Sequence, residues 1–215
     1  TIHALRENDA SELIIGLHEK SREDDSFLGQ FAQGLIDGIS RQLIIVNMNI
    51  PANTIQKIVI AVPEKAEYEK GFYRWINRIA RMSADLGCQA VFYASETTNH
   101  LILRYMRERH KNIRTDYEIL ESWTDFPALR HELTHDQLFV VVTARRGSIS
   151  YQKAFEKLPQ QLQTDFADYS LMLVYPDQQE ENNEIYDFID PHHHDTPTSS
   201  TRIGKWLSKW IGEMG

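Results

Sequence analysis

Short apolar runs alternate with amphipathic stretches along most of the chain. Glu12-Leu-Ile-Ile-Gly16 and Gln42-Leu-Ile-Ile-Val-Asn-Met48 are β-branched runs of strand length. Between them, residues 26–39 place Phe27, Leu28, Phe31, Leu35 and Ile39 on one helical face. Pro51 then breaks the chain, and Lys57-Ile-Val-Ile-Ala-Val-Pro63 opens a second series. Phe72, Trp75, Ile76, Ile79, Met82 and Leu86 recur at helical spacing, and Gly87 is placed to stop that helix. The strand Gln89-Ala-Val-Phe-Tyr-Ala94 follows, then a helix over about 98–109. Residues 115–120 alternate like a strand near a sheet edge, and Asp125 is positioned to cap a short helix reaching about residue 134. Gln137-Leu-Phe-Val-Val-Val-Thr143 is the strongest strand, followed by a helix over about 151–163 and the strand Ser170-Leu-Met-Leu-Val-Tyr175.

Continuous aliphatic strands separated by helices predict a parallel sheet covered on both faces. Right-handed crossovers restrict this to doubly wound forms. Residues 57–175 read as five strands with four intervening helices, and residues 12–48 as strand, helix, strand. The short series repeats the end of the long one. The expected organisation is therefore a half-unit over 1–52, a complete five-stranded α/β unit over 53–177, an acidic, His-containing linker over 178–200, and an amphipathic helix over 201–215.

Composition narrows the function classes. With 31 Asp and Glu against 23 Lys and Arg, the net charge of −8 argues against a broad nucleic-acid surface. Cys88, the single cysteine, makes no internal disulfide and suits a reducing compartment. No apolar run approaches the ~20 residues of a bilayer-crossing helix, and the first residues have no signal-peptide core. Thr1 in place of Met, soon followed by a strand, leads us to expect a piece of a longer chain.

The run Glu12-Leu-Ile-Ile-Gly-Leu-His18, with Phe27-Leu-Gly29 and Gln42-Leu-Ile-Ile-Val46, resembles the C-terminal half of a universal stress protein domain. The resemblance implies an adenine-nucleotide-type α/β fold and a phosphate-binding loop whose glycines let backbone N–H groups approach ATP. Gly16 and Gly29 occupy the first and third glycine positions of that motif, but Glu19 replaces the second, and Gln30 stands where Ser or Thr belongs. In the second copy the loop reads Ala144-Arg-Arg-Gly-Ser-Ile-Ser150, with Glu156 and Lys157 at the last two positions. Its first strand ends Val62-Pro63-Glu64, where nucleotide-binding members carry aspartate. ATP is therefore not expected in either copy. The tandem arrangement resembles the cytoplasmic C-terminal region of bacterial cation/proton antiporters of the sodium/hydrogen exchanger type. That implies a covalently attached transmembrane domain upstream, a location on the cytoplasmic side of the plasma membrane, and a regulatory role. The alternative is a free-standing stress-type protein binding a nucleotide or another small anion.

Arg145, Arg146, Gly147 and Ser148 follow the strongest strand, at the carboxyl edge where doubly wound sheets hold ligands. With Glu64, they frame an expected anion site in the crevice beside the first strand of the complete unit. Gly16, His18 and Gly29 mark the equivalent edge of the half-unit. His192, His193 and His194 are the metal-like cluster, but adjacent side chains in a linker lack the geometry of a structural zinc site. Trp206 and Trp210, beside Arg202, Lys205 and Lys209, suit either a membrane-surface helix or a docked one. The sequence carries no Walker loop, His-Glu-x-x-His helix, Gly-x-Ser-x-Gly elbow or Cys-x-x-Cys pair, so no catalysis is expected. The two strands of the half-unit leave an edge to be covered, which predicts a homodimer or pairing with the neighbouring unit.

Overall fold

In a computed structural model, which describes residues 10–17 and 28–179, the apolar runs form seven strands of one continuous sheet. They are β1 (Glu12–Gly16), β2 (Gln42–Asn47), β3 (Lys57–Ala61), β4 (Gln89–Ala94), β5 (Thr115–Ile119), β6 (Gln137–Val142) and β7 (Ser170–Tyr175). Their order across the sheet is β1-β2-β7-β6-β3-β4-β5. All neighbours are parallel except β2 and β7, which run antiparallel with Ile45 opposite Leu173.

β2, β3, β6 and β7 read as unbroken aliphatic runs because both faces of the sheet are covered. One face carries α2 (Phe72–Leu86) and α3 (Glu96–Arg109). The other carries α1 (Gly29–Gly38), a 3-10 stretch over Trp123–Glu132, and α4 (Leu158–Asp165). On the first face, Trp75, Ile76 and Ile79 pack with Ile58, Ile60, Phe92 and Val140. Burial of a side chain such as Ile76 or Ile79 is worth about 1.5–3 kcal/mol. On the second face, Leu35 and Ile36 of α1 share a core with Phe139, Leu162 and Leu173. Gly87 stops α2 as its position predicts, taking φ 66° and donating its N–H to the last turn. Ser95 caps α3 by accepting from the Thr98 N–H, which starts that helix two residues earlier than its apolar pattern indicates.

Two expected helices differ from the sequence reading. The one expected to reach residue 134 is the 3-10 stretch Trp123–Glu132, which contains Pro127. Proline removes a donor and clashes with a continuing α-helix. The one expected over 151–163 opens as a 3-10 turn, Lys153–Lys157, and becomes α-helical from Leu158, with Pro159 in its first turn.

Of the two partners expected for the half-unit's open edge, the neighbouring unit takes it. The outer β2 edge is covered in cis by β7, joining the expected five-stranded sheet to the half-copy. Read outward from that seam, β2-β1 and β7-β6 are each a parallel pair spanned by a helix on the same face, α1 and α4 respectively. An approximate two-fold axis perpendicular to the sheet at Ile45 and Leu173 accounts for this arrangement. Glu12 of β1 ties the half-unit to the opposite face: its carboxylate accepts from Gln42 Nε2 at 2.9 Å and Arg78 Nε at 3.1 Å. No helix among the described residues is long and apolar enough to cross a membrane. The linker histidines and the Trp206–Trp210 stripe lie outside the described residues.

Candidate functional site

β3 is the central strand of the complete unit, pairing β4 on one side and β6 on the other. The connections after β3 and β6 leave toward opposite faces, which makes Val62–Glu64 and Thr143–Ser148 the switch point where the sequence placed a crevice. A carboxylate of the protein itself reaches across it. After β3, Lys65 takes a left-handed conformation, φ 63°, and starts a short 3-10 turn, Ala66–Tyr68. That turn delivers Glu69 to the loop after β6, where Glu69 Oε1 accepts the Ser150 N–H at 2.9 Å and the Ser150 hydroxyl at 2.6 Å. A backbone N–H and a hydroxyl of this loop, donors that would suit an anion, therefore already hold a carboxylate. Gly147 takes φ 88°, and the Ser148 hydroxyl accepts from Gln178 Nε2 at 2.6 Å. Glu64 is half-buried three residues after β3.

Arg145 is drawn into the seam instead of toward the crevice. It is 7% exposed, and its donors go to three backbone carbonyls: Nε to Ile36 at 3.1 Å, Nη1 to Pro176 at 2.6 Å, and Nη2 to Arg41 at 2.9 Å. Ile36 and Arg41 belong to the half-unit, and Pro176 directly follows β7. The guanidinium carbon also lies 5.6 Å from the centre of the Tyr175 ring. Burial lowers the Arg145 pKa, opposed by Tyr175, Asp177 and Glu69; the group remains charged, as guanidinium does in proteins. Arg146 is exposed and reaches Glu156 at 3.5 Å. The adjacent arginines thus divide the work: Arg145 clamps two halves of the sheet, and Arg146 lies on the rim of the neighbouring hollow.

That hollow is a cavity of about 470 Å³ between α1 and α4, on the sheet face that both helices cover. Leu28, Ile36 and Asp37 wall it on the α1 side. Leu158 and Leu162 of α4 face them, with Leu173 and Tyr175 of β7 between. Burial, with the Asp37 carboxylate adding to it, pushes the Tyr175 hydroxyl far above its ordinary pKa, although Arg145 opposes the shift. Tyr175 is therefore a neutral hydroxyl throughout the physiological range.

The structure brings Arg145, Arg146, Gly147 and Ser148 together on one loop, with Glu64 across the switch point. Gly16 ends β1 and Gly29 opens α1, in the half-unit, while His18 lies outside the described residues. Sequence reasoning missed Glu69, Asp37 and Tyr175. A carboxylate in a turn, one on an exposed helix face, and a tyrosine ending a strand carry no signature until the chain is folded. Among the described residues, no group of three or more His, Cys, Asp and Glu side chains is placed to hold a metal ion.

The sequence matches no family model and no curated protein. Solved structures do match the fold. A putative universal stress protein from Pseudomonas aeruginosa UCBPP-PA14 superposes with a TM-score of 0.50 at 14% identity, over 87% of this chain and 69% of that one. This is a universal-stress-protein-like fold. The cytoplasmic domain of a prokaryotic cation chloride cotransporter superposes with a TM-score of 0.55 at 10% identity, over 86% of this chain and 72% of that one. A protein of unknown function from Pseudomonas aeruginosa PAO1 gives 0.54 at 15% identity, over 87% and 69%. At these identities the likeness is one of fold.

Proposed function

We propose that this chain is a non-catalytic, ligand-sensing regulatory module of a membrane cation/proton antiporter, on the cytoplasmic side of the membrane. The observation that carries the reading is the seam. Two unequal units are fused through β2 and β7, clamped by Arg145, and separated on one face by a cavity walled from both sides. A molecule lodged there touches both units and biases how they sit, as a regulatory ligand must. Support for a transporter context comes from the fold shared with the cation chloride cotransporter's cytoplasmic domain. The Glu69 carboxylate held by Ser150 of the loop after β6, with Glu156 and Lys157 at motif positions, supports a module that does not use ATP.

Two partners belong to this proposal. One is a transmembrane domain covalently attached upstream. The other is a second copy of the module. β1 has a single strand neighbour, β2, among the described residues, and its outer edge offers further chain a place to pair.

The test is ion and proton exchange in membrane vesicles, comparing the intact transporter with a version lacking residues 10–179. We expect exchange to persist and its response to cytoplasmic conditions to be lost. Exchange with unchanged regulation, or a coding sequence that specifies no membrane domain, would overturn the proposal.

A further inference from the structure

We propose that the cavity between α1 and α4 binds an uncharged amphipathic small molecule, with its apolar body on Leu158, Leu162 and Leu173 and its hydrogen-bonding head toward Tyr175 and Gln33. The inference deepens the ligand-sensing reading above and rests on it; it does not depend on attachment to a transporter.

The volume, about 470 Å³, lies within the ~300–1,000 Å³ common for small-molecule sites. The deciding argument is charge. Among the described residues lining the cavity are two acids, Asp37 and Glu156, and two bases, Arg145 and Arg146. A free anion would need an available cation. Beside Leu162 and Leu173 that cation is Arg145, whose donors already go to the carbonyls of Ile36, Pro176 and Arg41; Arg146, its side chain 80% exposed against Glu156, stays at the solvent rim. An anion would also meet Asp37 at the mouth. A cation would approach the buried Arg145 guanidinium, which stacks over the Tyr175 ring at the cavity floor. Stripping a charged ligand of water without giving it a counter-charge costs several kcal/mol. An uncharged ligand avoids both penalties.

Polar recognition remains available to such a molecule. Tyr175 is 7% exposed and Thr143 1%, and each puts a hydroxyl-bearing side chain into the lining. The Gln33 amide lies at the α1 wall, donating to Asp37 at 3.1 Å and holding that carboxylate at the rim. The aliphatic wall belongs to the same packed core that joins the two units, so an occupant contacts α1 and α4 at once.

A size-matched series tests the charge argument: naphthylmethanol, naphthylmethylamine and naphthoate, titrated into the 215-residue chain with amide NMR signals as the readout. Naphthylmethanol is expected to give saturable shifts at Leu173, Tyr175 and Ile36, with the amine and carboxylate at least about tenfold weaker, or ~1.4 kcal/mol. Leu162→Trp, which fills the cavity, should abolish the shifts. Tyr175→Phe, which preserves packing, should weaken binding about fivefold by removing a hydrogen bond. Binding of either charged probe as tight as the alcohol overturns the proposal. So does the absence of saturable shifts from all three probes, or alcohol binding indifferent to Tyr175→Phe in a variant that keeps the native spectrum. Vesicle transport is measured separately, so a failed transporter assignment leaves this result standing.

Discussion

Replacing Arg145 by alanine should destabilise the protein far more than replacing its neighbour Arg146. Arg145 donates to the carbonyls of Ile36, Arg41 and Pro176, all within 3.1 Å. Bonds from a charged donor are worth about 1.5–3 kcal/mol each, but the gross sum is offset by the several kcal/mol spent desolvating the guanidinium. Truncation recovers that desolvation cost and leaves three carbonyls short of a donor. Each costs about 1–3 kcal/mol if it stays dry. Water entering from the adjacent cavity repairs part of the loss. The net expectation is about 3–5 kcal/mol for Arg145→Ala, from three carbonyls losing a donor at about 1–3 kcal/mol each, less what entering water restores. Arg145→Lys should fall between, because one ammonium lacks the planar fork that reaches three acceptors. The Arg146–Glu156 pair, with side chains 80% and 47% exposed, should contribute about 0–1 kcal/mol. Urea unfolding followed by tryptophan fluorescence measures all three variants. An Arg145→Ala midpoint equal to that of Arg146→Ala would refute the clamp.

Three further outcomes follow from single contacts. A β-carbon at Gly71 would lie 2.5 Å from the Asp177 backbone nitrogen, so Gly71→Ala should cost about 1–3 kcal/mol by overpacking, read as a lower urea midpoint. The Tyr175 hydroxyl has a raised pKa in the folded state, chiefly through burial. Above the ordinary tyrosine pKa of ~10 the unfolded chain therefore binds fewer protons than the native one, and stability falls as pH rises. Tyr175→Phe should flatten that alkaline decline, whereas an identical slope in both proteins would contradict it. Burial likewise raises the Cys88 thiol, so a thiol reagent should leave Cys88 unmodified in the native protein and label it once urea unfolds the chain.

The fold was legible where periodicity and punctuation agree. Strand runs such as Gln42–Asn47 and Gln137–Val142, the α2 stripe from Phe72 through Met82, and Gly87 as its stop are all local signals that tertiary packing reinforces. The repeat of strand, helix, strand was legible as well, because it is written twice. Its consequence was not. That β2 pairs antiparallel with β7 depends on which edge meets which, and no residue spacing encodes that choice. The site was only partly legible for a similar reason. Arg145 and Arg146 were rightly placed on a loop at the carboxyl edge, but an arginine pair reads the same whether it faces an anion or backbone carbonyls. Which one turned inward was decided by Ile36 and Pro176, residues distant in sequence and unremarkable in type.

The switch-point loop and the seam play different parts in the fold. A phosphate site at the switch point needs a loop whose donors stay open, and here the Glu69 carboxylate accepts from Ser150 N–H and hydroxyl. That contact ties the turn after β3 to the loop after β6. The cavity between α1 and α4 lies where the two units meet, and both of its walls belong to one core. α4 is fixed by the core of the complete unit, through Leu158, Leu162 and Phe166. α1 faces it from a half-unit joined to the rest through the β2–β7 pairing, the Arg145 bonds near its C-terminal end, the Gln178 N–H donated to the Ser40 carbonyl, and its apolar face. A ligand pressing on both walls therefore works against these contacts. Because β1 pairs in register with β2 and reaches α2 through Glu12 and Arg78, movement of the half-unit is opposed at its far side by an ion pair as well as by packing. Ligand affinity and half-unit position are linked through that resistance, and by reciprocity whatever holds the half-unit in place also sets how tightly the cavity binds.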